Sequence, residues 1–161
     1  MFRDVGRLVG LTLLVATALA VAAADEPALA QSGPTVPFVT VAQGTASGVH
    51  EPAQLVIRDQ AAWVTLWGRH RGATRGPVPS VDFNRDMVIA IFADESGTPR
   101  QLKIRQITRE TDRLEVSYTL AVTGPLPEGE GASRVVPFHI VRLARSTLPV
   151  RFVRVKTPQV Y

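Results

Sequence analysis

Serine, histidine and carboxylate side chains are the groups here that could carry a reaction, because the 161-residue chain contains no cysteine. Nucleophilic catalysis needs a hydroxyl or thiol whose proton a nearby base accepts. Ser47 lies three residues before His50 in the Gly-rich stretch Gly44 to Gly48, so a Ser–His pair can be drawn there. A strand-edge turn rich in Gly and Ser explains the same residues without chemistry. Ser47, Ser96 and Ser133 all lie outside any Gly-x-Ser-x-Gly turn. A zinc site needs three or four converging ligands, commonly with two at close spacing. His50, His70 and His139 are isolated from one another, and His50 and Glu51, as neighbours in a strand, would point to opposite faces. The expectation is three ordinary surface or rim histidines.

Paired carboxylates are the next possibility. Asp82 and Asp86 flank Phe83-Asn84-Arg85, and Asp94-Glu95 follows an apolar run. Short polar side chains at 82, 84 and 86 suit a turn whose amides they bond, in preference to general acid–base work. Glu128 and Glu130 sit among Gly and Pro, where no burial would tune them. No phosphate-cradling Gly-rich loop precedes a helix. The reading is therefore of no catalytic residue, no metal ligand and no cofactor site, with the binding residues unassigned.

The net charge is +4, and sixteen of the eighteen basic residues are Arg. Lys103, Arg105, Arg142, Arg151, Arg154 and Lys156 recur at strand positions that could share a solvent face and bind nucleic acid or an acidic surface. No aromatic platform interleaves with them, so solvated charge is the reading and no nucleic-acid partner is expected.

The hydrophobicity is uneven. Twenty of the first thirty residues are hydrophobic, with Arg3 and Arg7 ahead of the apolar run Leu8 to Ala24 and the small-x-small segment Ala28-Leu29-Ala30. This predicts a signal peptide over residues 1–30, cut after Ala30 or after Ala24. A membrane anchor is the competing reading, because the run approaches the length of a spanning helix. No cysteine follows the run to carry a lipid. The expected location is periplasmic or secreted, with no membrane association after cleavage.

Positioning elements follow from the remainder. Residues 31–35 read as a flexible lead-in, 36–156 as one domain and 157–161 as a tail. Val36 to Ala42 and Gln54 to Ile57 read as strands. Asp59 is a good helix N-cap, and Trp63, Leu66, Trp67 and His70 fall on one helical face that ends at Gly72. Met87 to Ala93 is a continuous apolar run that predicts a central strand covered on both faces. Gln101 to Thr108 and Leu114 to Val122 alternate apolar and polar residues and are joined by a short polar stretch, which predicts an antiparallel hairpin. Val135 to Leu143 and Val150 to Lys156 complete about seven strands. Together these predict an α+β domain, a mainly antiparallel curled β-sheet with one packed α-helix. Three Gly/Pro-rich loops, at Gly72 to Pro79, Ser96 to Pro99 and Gly124 to Gly131, are available for binding.

Three segments, Val56-Ile57-Arg58-Asp59 leading to Trp63 and Leu66-Trp67, then Val81-Asp82-Phe83-Asn84-Arg85-Asp86-Met87-Val88-Ile89-Ala90, and Pro137-Phe138-His139-Ile140-Val141, resemble the family named for the C-terminal domain of the protease complex subunit PrcB. The resemblance runs from about Pro37 to Val155. It implies a secreted, non-catalytic domain, in a family whose named member assists and stabilises a secreted protease. The family commonly carries a Pro-Thr-Gly-Gly-Tyr-like turn after the central strand, where this chain has Asp94-Glu95-Ser96-Gly97-Thr98-Pro99-Arg100, and no functional residue is carried over. The expected function is an exported interaction domain that binds or stabilises a protein partner, with a secreted protease as one candidate. A small-ligand-binding or peptidase-inhibitor-like domain is the alternative. An exported hydrolase would require Ser47, His50, Asp82 or His139 to converge.

Overall fold

A computed structural model of the chain describes residues 33–72, 76–94, 100–124 and 135–156. The leader, most of the three Gly/Pro-rich loops and the tail at 157–161 lie outside the described residues.

The chain forms β1 (Phe38–Gly44), β2 (Ala53–Ile57), α1 (Gln60–Arg71), β3 (Asp86–Phe92), β4 (Arg100–Arg109), β5 (Leu114–Val122), β6 (Phe138–Ala144) and β7 (Val150–Arg154). The helix begins where expected. The Asp59 side chain accepts the Ala62 N–H at 2.8 Å, and Gly72 closes the last turn at a φ of 55°, a conformation that favours glycine. Its indole face then meets the sheet: Trp63, Leu66, Trp67 and His70 are all buried.

The strands divide into two sheets rather than one. β1-β6-β3-β2 is fully antiparallel, while in β4-β5-β7 the first pair is antiparallel and β7 runs parallel to β5. A parallel neighbour is possible there because the chain leaves β6 in one sheet and starts β7 in the other, so no hairpin constrains it. The result is three layers: helix, four-stranded sheet and three-stranded sheet.

β3 lies inside this stack with both faces covered, as its apolar run requires. Val88, Ala90 and Phe92 pack toward the helix with Trp63, Trp67, Phe138 and Ile140. Met87, Ile89 and Ile91 pack into the second core with Leu102, Ile104, Leu114 and Val116. Period-two alternation along one strand thus feeds two cores.

Among the described residues, backbone hydrogen bonds stitch the two sheets along one margin. Thr35 bridges to Thr108, the Val36 N–H donates to the Ile107 carbonyl at 2.7 Å and the Arg109 N–H donates to the Pro34 carbonyl at 2.9 Å. Part of the segment read as a loose lead-in is therefore tied to β4. β1 and β4 each carry a register shift, between Thr40 and Ala42 and between Ile104 and Gln106, where a strand bends locally. On the opposite margin β2 and β7 each end a sheet, and among the described residues no backbone hydrogen bond joins them.

Candidate functional site

The residues that could carry a reaction are engaged in holding the fold. Ser47 is hydrogen-bonded to His70, not to His50: its Oγ lies 3.0 Å from His70 Nδ1 and accepts the Val49 N–H at 3.1 Å. The Gly48 N–H donates to the His70 carbonyl at 2.8 Å, so the turn before Val49 caps the C-terminal end of α1. Gly48 is required there because a Cβ would strike the Arg69 carbonyl oxygen. The His70 ring packs edge-on against Phe138 at a centroid distance of 4.4 Å. Burial and then the Arg71 charge hold its pKa below the ordinary imidazole value.

His139 lies in the other core. It is 2% exposed, and its Nδ1 accepts the Ile104 N–H of β4 at 2.9 Å. That bond assigns the ring proton to Nε2, which donates to Thr40 Oγ1 of β1 at 2.9 Å. One neutral ring on β6 therefore links two neighbouring strands across the stitched margin. Burial, with a lesser contribution from Lys103, lowers its pKa to about 4.

The expectation of three surface or rim histidines fails for His70 and His139, both of which are buried. The apolar surroundings accept them because each ring nitrogen that bonds finds a fixed partner. Asp82 behaves as a turn residue: its Oδ1 accepts the Asn84 N–H at 3.0 Å, and its carbonyl accepts the Arg85 and Asp86 N–H groups. Asp86 instead lies 3.6 Å from the Arg142 guanidinium. Ser47 and His139 thus serve separate cores and the Asp82 carboxylate serves its own turn, so the arrangement gives these groups no shared site. Among the described residues no three His, Asp or Glu side chains are grouped so that they could hold a metal ion. No described helix is long and apolar enough to cross a membrane.

The basic strand residues do not share one face. Arg142 is in the four-stranded sheet beside Asp86, whereas Lys103, Arg105, Arg151 and Arg154 are in the three-stranded sheet. Along β7, Val150 and Phe152 pack into the core between the sheets, and alternation places Arg154 on that same inner side.

Arg154 reaches an opening into the core between the sheets. Between the unpaired margins of β2 and β7, a cleft of about 310 Å³ continues the inter-sheet core to solvent. Its floor is Ile91, Leu102 and Leu120, and its mouth carries Gln54, Tyr118 and Arg154. The Gln54 amide donates to Tyr118 Oη at 3.0 Å. At the other end of the same margin, Arg58 closes the gap, donating from Nε to the Ser146 carbonyl at 3.0 Å and from Nη2 to the Leu148 carbonyl at 2.9 Å. The cleft is thus open at one end and latched at the other. Sequence reading missed it, although Val150, Phe152 and Arg154 in alternation were a visible signal: a cation where the next core residue belongs.

The chain matches no family model, no curated protein and no solved structure.

Proposed function

We propose that this chain is an exported, non-enzymatic interaction domain that binds and stabilises another exported protein, with a secreted protease of the same cell as the partner to test first. The observation that carries the reading is the use made of the reactive side chains. Ser47, His70 and His139 spend their hydrogen bonds on a helix end and on a strand junction, while the open features include a cleft and the β2 and β7 strand edges that flank it. Rigid sheets that present such features are suited to recognition. The resemblance of the 56–67, 81–90 and 137–141 segments to the PrcB C-terminal family supports the same reading, as does the apolar leader with its small-x-small end.

Deleting the gene tests it in the producing cell. The half-life of at least one secreted protease is expected to shorten and to recover when the chain is supplied again. Unchanged half-lives for all secreted proteases would remove the protease from the proposal.

The cleft favours one second reading, a small-ligand-binding domain. A ligand specific to the folded state raises the melting temperature by mass action, so a thermal-shift screen of metabolites separates this reading from the first.

A further inference from the structure

We infer that the cleft between β2 and β7 binds the C-terminal carboxylate of a polypeptide whose last residue is apolar. The inference rests on the interaction reading and names the site that reading lacks. Arg154 points inward at the mouth, and among the described residues its guanidinium makes no hydrogen bond or ion pair. Guanidinium offers paired N–H donors that match a carboxylate. The Tyr118 hydroxyl accepts from Gln54, so its own proton remains to be donated to the same anion.

Below these donors the floor is apolar: Ile91 and Leu102 are almost fully buried, and Leu120 completes the surface. The geometry therefore offers charge at the rim and an apolar seat beneath it. Asp94 lies on the same rim and opposes a second negative charge, which selects a single carboxylate over a phosphate or a diacid. A volume of about 310 Å³ is at the lower end for ligand pockets and suits one or two residues.

A peptide is favoured over a free carboxylic acid by the flanking strands. β2 and β7 each end a sheet, so the chain preceding the carboxylate can hydrogen-bond to an unpaired edge, in the manner of strand addition. A free acid has no N–H with which to use those edges.

The test titrates the purified chain with acetyl-Gly-Val-Leu bearing a free carboxylate, its C-terminal amide and hexanoate, by calorimetry and by amide NMR shifts. The free peptide is expected to bind with shifts at Gln54, Leu102, Tyr118 and Leu120. Amidation is expected to weaken binding at least about tenfold, and Arg154→Gln to do the same, the scale of one lost charge-assisted contact. Arg154→Lys should recover part of the loss. Arg154 is exposed, so an unchanged melting temperature for R154Q confirms that the variant folds. Equal binding of acid and amide, indifference to R154Q, hexanoate binding as tightly as the peptide, or no binding would each overturn the inference. If the free peptide fails while the tagged chain still captures a secreted partner, the cleft assignment falls and the interaction reading stands.

Discussion

The His139 ring holds its place only while it is neutral, because the Ile104 N–H already occupies Nδ1 and a protonated ring would set two donors against each other. Its pKa of about 4 in the fold, against 6.5 ordinarily, means that the unfolded chain takes up the proton first as pH falls. The stability this contributes is complete above about 6.5, declines through the interval below and is gone near 4. The shift corresponds to about 3 kcal/mol, and His70, lowered by burial and then by Arg71, acts in the same direction. Urea unfolding at pH 7 and pH 4.5 is expected to show this loss. In His139→Leu the dependence should shrink to the share left by other groups, with a cost at pH 7 of about 1–3 kcal/mol for the orphaned Ile104 N–H. An unchanged pH dependence in that variant would show that His139 is not its source. The two tryptophans offer a second comparison. Trp63 is 0% exposed and donates its indole N–H to the Pro79 carbonyl at 2.8 Å, whereas the buried Trp67 N–H finds no partner among the described residues. Truncating either to Ala is expected to cost on the order of 3–5 kcal/mol. Phe at 63 should cost about 1 kcal/mol more than Phe at 67, since only the first loses a hydrogen bond. Calorimetric melting of the four variants checks both statements.

Helix α1 and strand β3 were legible because each carries its own period. The spacing of Trp63, Leu66, Trp67 and His70 specifies one helical face, Asp59 and Gly72 specify its ends, and an unbroken run from Met87 to Phe92 requires cover on two sides. Alternation says which side of a strand is buried but not which strand lies beside it. For that reason the division into two sheets, and the parallel seat of β7 beside β5, could not be read from the segment 150–154. The burial of His70 and His139 was hidden for a related reason. A histidine in an apolar setting needs a partner supplied from elsewhere, and Ser47, Thr40 and the Ile104 N–H are 23, 99 and 35 residues away in sequence. The β2 margin depends on Arg58 in the same nonlocal way, through carbonyls 88 and 90 residues distant. Replacing Arg58 by Met should cost about 2–3 kcal/mol, as two charge-assisted bonds to carbonyls are lost. Hydrogen exchange should quicken in β7 before the β3 and β6 amides respond. Uniform exchange across all three strands would show that Arg58 does not latch the margin.

For the domain as a whole, the proposed binding role rests on an asymmetry between its two margins. One is joined by backbone hydrogen bonds at residues 34–36 and by His139, which tie the end of β4 and link β1 to β4. The other leaves β2 and β7 unpaired, latched by Arg58 at one end and open at the Arg154 end. The basic surplus that first suggested nucleic acid is distributed over both sheets, and Arg154, at the cleft mouth, is suited to a single carboxylate. On the proposed reading the domain holds one partner in defined stoichiometry. The direct measurement is affinity capture by the tagged mature chain from the producing cell's exported fraction at physiological salt, with mass spectrometry and with excess untagged chain as competitor. One discrete exported protein, recovered near 1:1 and displaced by the competitor, is the predicted result, and recovery of no displaceable partner would contradict it.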